Sequence, residues 1–174
     1  TGGAGVAREI MRAAAANLVP LTLELGGKSP VIVSYSAELR VAARQTLFGK
    51  LFNAGQICLA PDYLFIERQQ LEPFVDALRL ACREMLPPAR AHVDYVSVVS
   101  ARHKARLTAM VDEARAAGAG IVELGPIVEP AGDTRNLMPI TLIIEPDERC
   151  AVSKEEIFGP LLVIRTYRHL DEVI

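Results

Sequence analysis

The chain has 174 residues, 51% of them hydrophobic and 23% charged, the balance of one globular domain with a real core. A formal net charge of −2 excludes the basic footprint that nucleic acid or an anionic membrane surface would need. No apolar run reaches membrane-spanning length, and the start Thr1-Gly2-Gly3 is not a signal peptide.

Cys58, Cys82 and Cys150 are widely spaced and odd in number, which fits neither a disulfide framework nor a metal-ligand pair. His92, His103 and His169 do not cluster with them, so no metal site is expected. This cysteine usage suits a reducing compartment and a cytoplasmic protein. The chain opens without methionine inside what reads as a phosphate-binding turn. It stops at Asp171-Glu172-Val173-Ile174, where a helix would be starting, and is read as a piece of a longer protein.

In chain order, Val6, Ile10, Ala13, Ala14 and Leu18 recur at helical spacing, which predicts a helix over 5–18 ended by Pro20. Leu21–Leu25 reads as a short buried strand broken by Gly26-Gly27, and Pro30–Val33 as a second strand. Ser36 is the expected cap of a helix running to about Phe52, with Gly55 as a left-handed stop. Cys58 then falls in the loop before a strand over Tyr63–Ile66. An amphipathic helix is expected over 69–85, and Pro87-Pro88 opens a loop. Ser100 caps a helix that ends at Gly118. Strands are expected over Ile121–Leu124, Leu137–Ile144 and Leu161–Tyr167, with a Gly- and Pro-rich loop over 125–136. Strands alternating with helices predict an α/β fold, a parallel or mixed sheet with helices on both faces.

Three segments could carry chemistry. Cys58 sits in a loop after Gly55-Gln56, between Ile57 and Leu59, and could face a narrow apolar cavity. A thiol there is a nucleophile suited to a carbonyl, although a lone cysteine is also read as a small buried hydrophobe. Cys82, on the apolar face of a helix, and Cys150 are read as structural. Glu24 lies 34 residues before Cys58 in an apolar strand, where partial burial would suit a general base. It reads equally as a structural carboxylate paired with Lys28. Glu156 and Phe158 precede the turn at Gly159-Pro160, 98 residues after the thiol in the case of Glu156. The carboxylate could accept from ribose hydroxyls and the ring could flank a nicotinamide, or Glu155-Glu156 could be a solvated acidic pair. Gly2, Gly3 and Gly5 at a helix start could approach a pyrophosphate, or form a flexible start.

The segments Leu23–Pro30, Asn53–Tyr63 and Glu156–Pro160, at these spacings, resemble the aldehyde dehydrogenase superfamily. Asp62-Tyr63 after Cys58-Leu59-Ala60-Pro61, with Ala101-Arg102-His103, is similar to the branch containing class 3 and coniferyl aldehyde dehydrogenases. The resemblance implies a three-layer catalytic domain over 26–174, truncated at its C-terminus, preceded over 1–25 by the end of a dinucleotide-binding domain. It implies Cys58 as nucleophile and Glu24 as the base for hydrolysis of a thioester, with the Cys58 N–H in the oxyanion hole. Gly2, Gly3, Gly26, Glu156 and Phe158 would contact NAD or NADP, and Ile57 and Leu59 would line a tunnel for an aromatic or long aliphatic aldehyde. A homo-oligomer, dimer or tetramer, is also implied.

Two departures stand out. Gly2-Gly3-Ala4 replaces the family's Gly-Ser-Thr, and Ala7 replaces a later glycine. The family's oxyanion asparagine and adenosine-binding lysine have no counterpart here, so the piece by itself is expected to be inactive. An acylating or reductive relative, or a crystallin-like structural protein on the same fold, are the rival readings.

Overall fold

Alternating apolar residues on each strand and apolar stripes on each helix sort the chain into three layers. The computed structural model describes residues 1–87, 94–125 and 135–174. The elements are α1 (Ala4–Ala16), β1 (Ser29–Val33), α2 (Leu39–Leu51), β2 (Pro61–Glu67), α3 (Leu71–Met85), α4 (Ala101–Ala116), β3 (Gly120–Leu124), β4 (Ile140–Ile144), α5 (Ala151–Lys154) and β5 (Leu161–Tyr167). The five strands form one sheet in the order β1-β2-β5-β4-β3. β1, β2, β5 and β4 run parallel, while β3 pairs antiparallel with β4, so the sheet is mixed.

Strand alternation divides the core between the two faces. Leu64 and Ile66 of β2, Leu142 of β4 and Leu162 and Ile164 of β5 pack with Ala43 and Leu47 of α2 and Phe74, Val75 and Leu78 of α3. On the other face Ile143, Leu161 and Val163 pack with Leu107, Met110, Val111 and Ala114 of α4 and Val152 of α5. Cys82 and Cys150 are buried in these two cores, as their structural reading requires. Burial pushes the Cys82 thiol up, and its Sγ donates to Leu124 O at 3.5 Å.

The structure corrects several expectations. Leu21–Leu25 is not a strand, because no strand among the described residues lies beside it to form a ladder. α1 ends at Ala16, two residues early, and Leu18 enters the left-handed region at φ 53° before Pro20. The cap of α2 is Glu38, not Ser36: its carboxylate accepts from Arg40 N at 2.9 Å and Val41 N at 2.8 Å. β4 starts at Ile140 rather than 137, just past Pro139, which has no N–H for a ladder. Residues 68–70 form a 3₁₀ turn ahead of α3, and α5 is an added short helix. The loop expected over 125–136 falls mostly outside the described residues, as does Pro88.

One fully buried side chain is a lysine. Lys50 is 1% exposed, and its Nζ donates to Gly159 O at 3.1 Å. Burial pushes its pKa down to about 7, with Asp62 pulling it up and Lys28 pushing it down further. An unfolded chain keeps that proton up to the ordinary lysine value of 10.5. Between about pH 7 and 10.5 the unfolded state therefore binds more protons, so stability rises with pH across this window. Below pH 7 the folded state carries the buried charge and that gain is absent. Urea midpoints measured from pH 7 to 9 should rise in the wild type relative to Lys50→Met, which lacks the group. Parallel curves for the two proteins would contradict the assignment.

Candidate active site

Three chain segments meet because three strands are neighbours. Gly26–Lys28 leads into β1, Ile57–Ala60 into β2 and Glu156–Pro160 into β5, and β1, β2 and β5 are adjacent and parallel. Their leading segments therefore line up along one end of the sheet. That end is the amino end of the strands, whereas open α/β sheets usually bind ligands at the carboxyl end.

Polar side chains bind the segments together. Lys28 Nζ forms an ion pair with Asp62 Oδ1 and also donates to Glu155 O at 2.8 Å and Val152 O at 3.3 Å. Asp62 Oδ2 accepts from Ile157 N at 2.8 Å. Ser29 Oγ donates to Cys58 O at 3.3 Å, and Gly27 N donates to Glu156 Oε1 at 3.1 Å. Lys28 thus pairs with Asp62, not with Glu24 as one reading of the sequence allowed.

The thiol sits on a constrained turn. Asn53 (φ 50°), Ala54 (φ 52°) and Gly55 (φ 70°) are consecutively left-handed. Only glycine adopts this region freely; Ala54 carries a penalty of about 1 kcal/mol or more. Gln56 offsets it. Its buried amide donates to Asn53 O at 3.0 Å and Ser97 O at 3.1 Å and accepts from Val99 N at 2.8 Å. Gly55 is required for a second reason, since a Cβ there would overlap Gly159 O and Lys50 Cδ. Ile57 O accepts from Ala60 N at 3.1 Å, which leaves Cys58 and Leu59 at the tip of the turn. Among the described residues, Cys58 N–H donates to no acceptor.

Glu156 and Phe158 stand on the facing segment. The Glu156 carboxylate lies against Gly26, and a Cβ on Gly26 would collide with it. Phe158 is left-handed at φ 46° and 39% exposed. Arg106 from α4 donates to Ile157 O at 2.5 Å and to Glu156 O at 3.4 Å.

Other expected residues are less enclosed. Cys58 is exposed and Leu59 is 79% exposed, so the narrow apolar cavity is not formed by the described residues, and only Ile57 is half-buried. Glu24 is also exposed rather than partly buried, because no strand flanks it. Its carbonyl accepts from Gly2 N at 3.0 Å, which brings the Gly2-Gly3 turn to the Glu24 segment. Two grooves, of about 440 Å³ between α2 and α3 and about 530 Å³ over Tyr63, Phe65 and Arg165, contain neither Cys58 nor Glu24.

Sequence reasoning passed over Asp62, Lys50, Gln56 and Arg106 as working residues. A signal existed for two of them. Asp62 alternates with the buried Leu64 and Ile66, and Lys50 falls three residues after Leu47 on a buried helical stripe.

The Aldehyde dehydrogenase family model matches residues 1–174. The coniferyl aldehyde dehydrogenase of Pseudomonas sp. (strain HR199 / DSM 7063) is 48% identical over 176 residues, covering 100% of this chain and 36% of that protein. The dimeric NADP-preferring aldehyde dehydrogenase of Canis lupus familiaris is 35% identical over 175 residues, covering 100% of this chain and 37% of that protein. The solved betaine aldehyde dehydrogenase of Staphylococcus aureus, in complex with NAD+, superposes with a TM-score of 0.84 at 28% identity, covering 98% of this chain and 34% of that one. The chain thus spans little more than a third of the length of these relatives. A match over its whole length, on a mixed sheet flanked by helices, shows that the chain belongs to the aldehyde dehydrogenase family.

Proposed function

We propose that this chain carries the nucleophile-bearing part of an NAD(P)-dependent enzyme that oxidises an apolar aldehyde to its acid. The observation that carries the reading is the meeting of Cys58, the Gly26–Glu156 contact and Phe158 at the amino ends of three adjacent strands. Coniferaldehyde is the substrate suggested by the Pseudomonas relative's name, and the apolar flanks Ile57 and Leu59 suit an aromatic aldehyde.

The chemistry follows from the residues. The Cys58 thiolate attacks the aldehyde carbon, forming a thiohemiacetal. The Cys58 N–H, which has no acceptor among the described residues, is the proposed donor to the resulting oxyanion. Loss of a hydride from that carbon leaves a thioester on Sγ. Glu24 removes a proton from water, the hydroxide attacks the thioester, and the acid departs as the thiolate is regenerated. The exposure of Glu24 gives it ready access to water.

A bound NAD(P)+ supplies the hydride acceptor. The described residues fit its nicotinamide half: the Glu156 carboxylate, seated against Gly26 where any side chain would displace it, could accept from ribose hydroxyls, and the Phe158 ring is partly exposed. The turn at Gly2-Gly3, tied to Glu24 O, is the candidate for backbone contact with phosphate. Residues 1–25 are read as the end of a dinucleotide-binding domain and 26–174 as the catalytic domain. The exposed Val6, Ile10 and Met11 on α1 support that division. Assembly as a homo-oligomer is suggested by the dimeric canine relative. Among the described residues no helix is long and apolar enough to cross a membrane, and a cytoplasmic location is proposed from the cysteine usage.

Three outcomes test this reading. In the enzyme that carries this chain, Cys58→Ala should abolish aldehyde oxidation, while the buried Cys82→Ala should alter stability and spare turnover; normal turnover in Cys58→Ala would refute the mechanism. Glu24→Gln should give a burst of NAD(P)H followed by turnover slowed by about 10²–10⁴-fold. An unchanged steady state there would make Glu24 a structural carboxylate. Calorimetric titration of the 174-residue chain with NAD and NADP should show no micromolar binding and no aldehyde-dependent reduction. Tight binding by the chain alone would show a more complete unit than proposed.

A further inference from the structure

The segment Glu156–Pro160 lies outside helix and strand, yet its backbone is held residue by residue. Arg106 takes Glu156 O and Ile157 O, Asp62 takes Ile157 N, Thr141 N donates to Pro160 O, and Lys50 donates to Gly159 O. Phe158 makes no backbone hydrogen bond among the described residues and takes a left-handed conformation between two anchored neighbours. The direction of its Cα–Cβ bond is therefore set by what fixes residues 157 and 159.

We infer that Lys50 is a positioning residue for this segment: its buried Nζ fixes Gly159 O and so sets the placement of Phe158 and Glu156 opposite Cys58. Lys50 lies at the last turn of α2, five residues before Gly55 in the turn that carries the thiol. Gly159 O packs where a Gly55 Cβ would be, beside Lys50 Cδ. The same few atoms thus join the thiol turn to the facing segment.

Stability does not explain a lysine here. Its one hydrogen-bond acceptor among the described residues is a neutral carbonyl, and its ion partners are not in contact. Burying a lysine amine against one carbonyl is costly whether or not it holds its proton, and a methionine would fill the same space more cheaply. The charged groups that face it, Asp62 and Lys28, act in opposite directions and are themselves paired. A lysine buried at that expense is explained by the geometry it imposes. The functional part of this inference rests on the proposed roles of Glu156 and Phe158, but the positional part does not.

Hydrogen exchange on the wild-type chain and on Lys50→Met separates the two. Peptides covering 155–160 should exchange roughly tenfold faster in the variant, with β5 and α4 unchanged. Unchanged protection at 155–160 overturns the inference. So does loss of protection spread over the whole core in both Lys50→Met and Lys50→Gln, which would make Lys50 a support of the core. This measurement needs neither cofactor nor turnover, so it stands if the proposed chemistry fails. In the active enzyme, Lys50→Met should raise the KM for dinucleotide about tenfold while the rate of Cys58 alkylation by iodoacetamide stays within twofold. A loss in alkylation rate with unchanged KM would place Lys50 with the thiol instead, against the inference.

Discussion

Asp62 is the constraint on which the arrangement depends. A carboxylate at the start of an interior strand, 4% exposed, has to find donors or be expelled. It finds two, the Lys28 ammonium on one oxygen and Ile157 N–H on the other, and they come from the two other segments of the site. Satisfying one buried charge thereby ties its own strand to two pieces of chain that are 34 and 95 residues from it in sequence. Buried ion pairs are weak arguments for net stability, but removing one partner leaves an uncompensated charge, which makes the geometry hard to change. Lys28 extends the same tie through Val152 O and Glu155 O, and Tyr63 lies beneath its Nζ at 5.8 Å.

Around this tie the site is stiff where it positions and open where it reacts. Backbone strain at Asn53 and Ala54 is held by the Gln56 amide, so the bonds that shape the thiol turn come from the chain itself. The facing segment is anchored at Glu156, Ile157, Gly159 and Pro160. Between them Cys58, Leu59 and Phe158 remain exposed. Preorganised surroundings around an accessible thiol are what the acyl transfer proposed for Cys58 requires.

The layer order, all five strands within three residues of their bounds, and the three segments of the site were legible in the sequence. Alternation and helical stripes specify which face a residue takes, and the motifs around Cys58 and Glu156 are dense enough to be read locally. The failures have a common physical source. Leu21–Leu25 has strand composition, but a strand is a property of a ladder and needs a neighbour. Ser36 is the better cap by residue preference, yet Glu38 lies two residues nearer the first helical N–H groups and its carboxylate accepts from both. Asp62 and Lys50 carry polar names at apolar positions, and composition alone assigns such residues to the surface. Their burial follows from which donors and acceptors the tertiary fold brings to them.

A double-mutant cycle between Lys28 and Asp62 tests the central claim most directly. Lys28→Met, Asp62→Ala and the double variant would be unfolded in urea, with Cys58 alkylation followed in parallel as a report on the thiol turn. The account predicts a coupling of about 1–3 kcal/mol, and a larger loss for Asp62→Ala than for Lys28→Met because the former also strands Ile157 N–H. Additive losses, with no coupling and equal single effects, would show that the pair does not hold the three segments together.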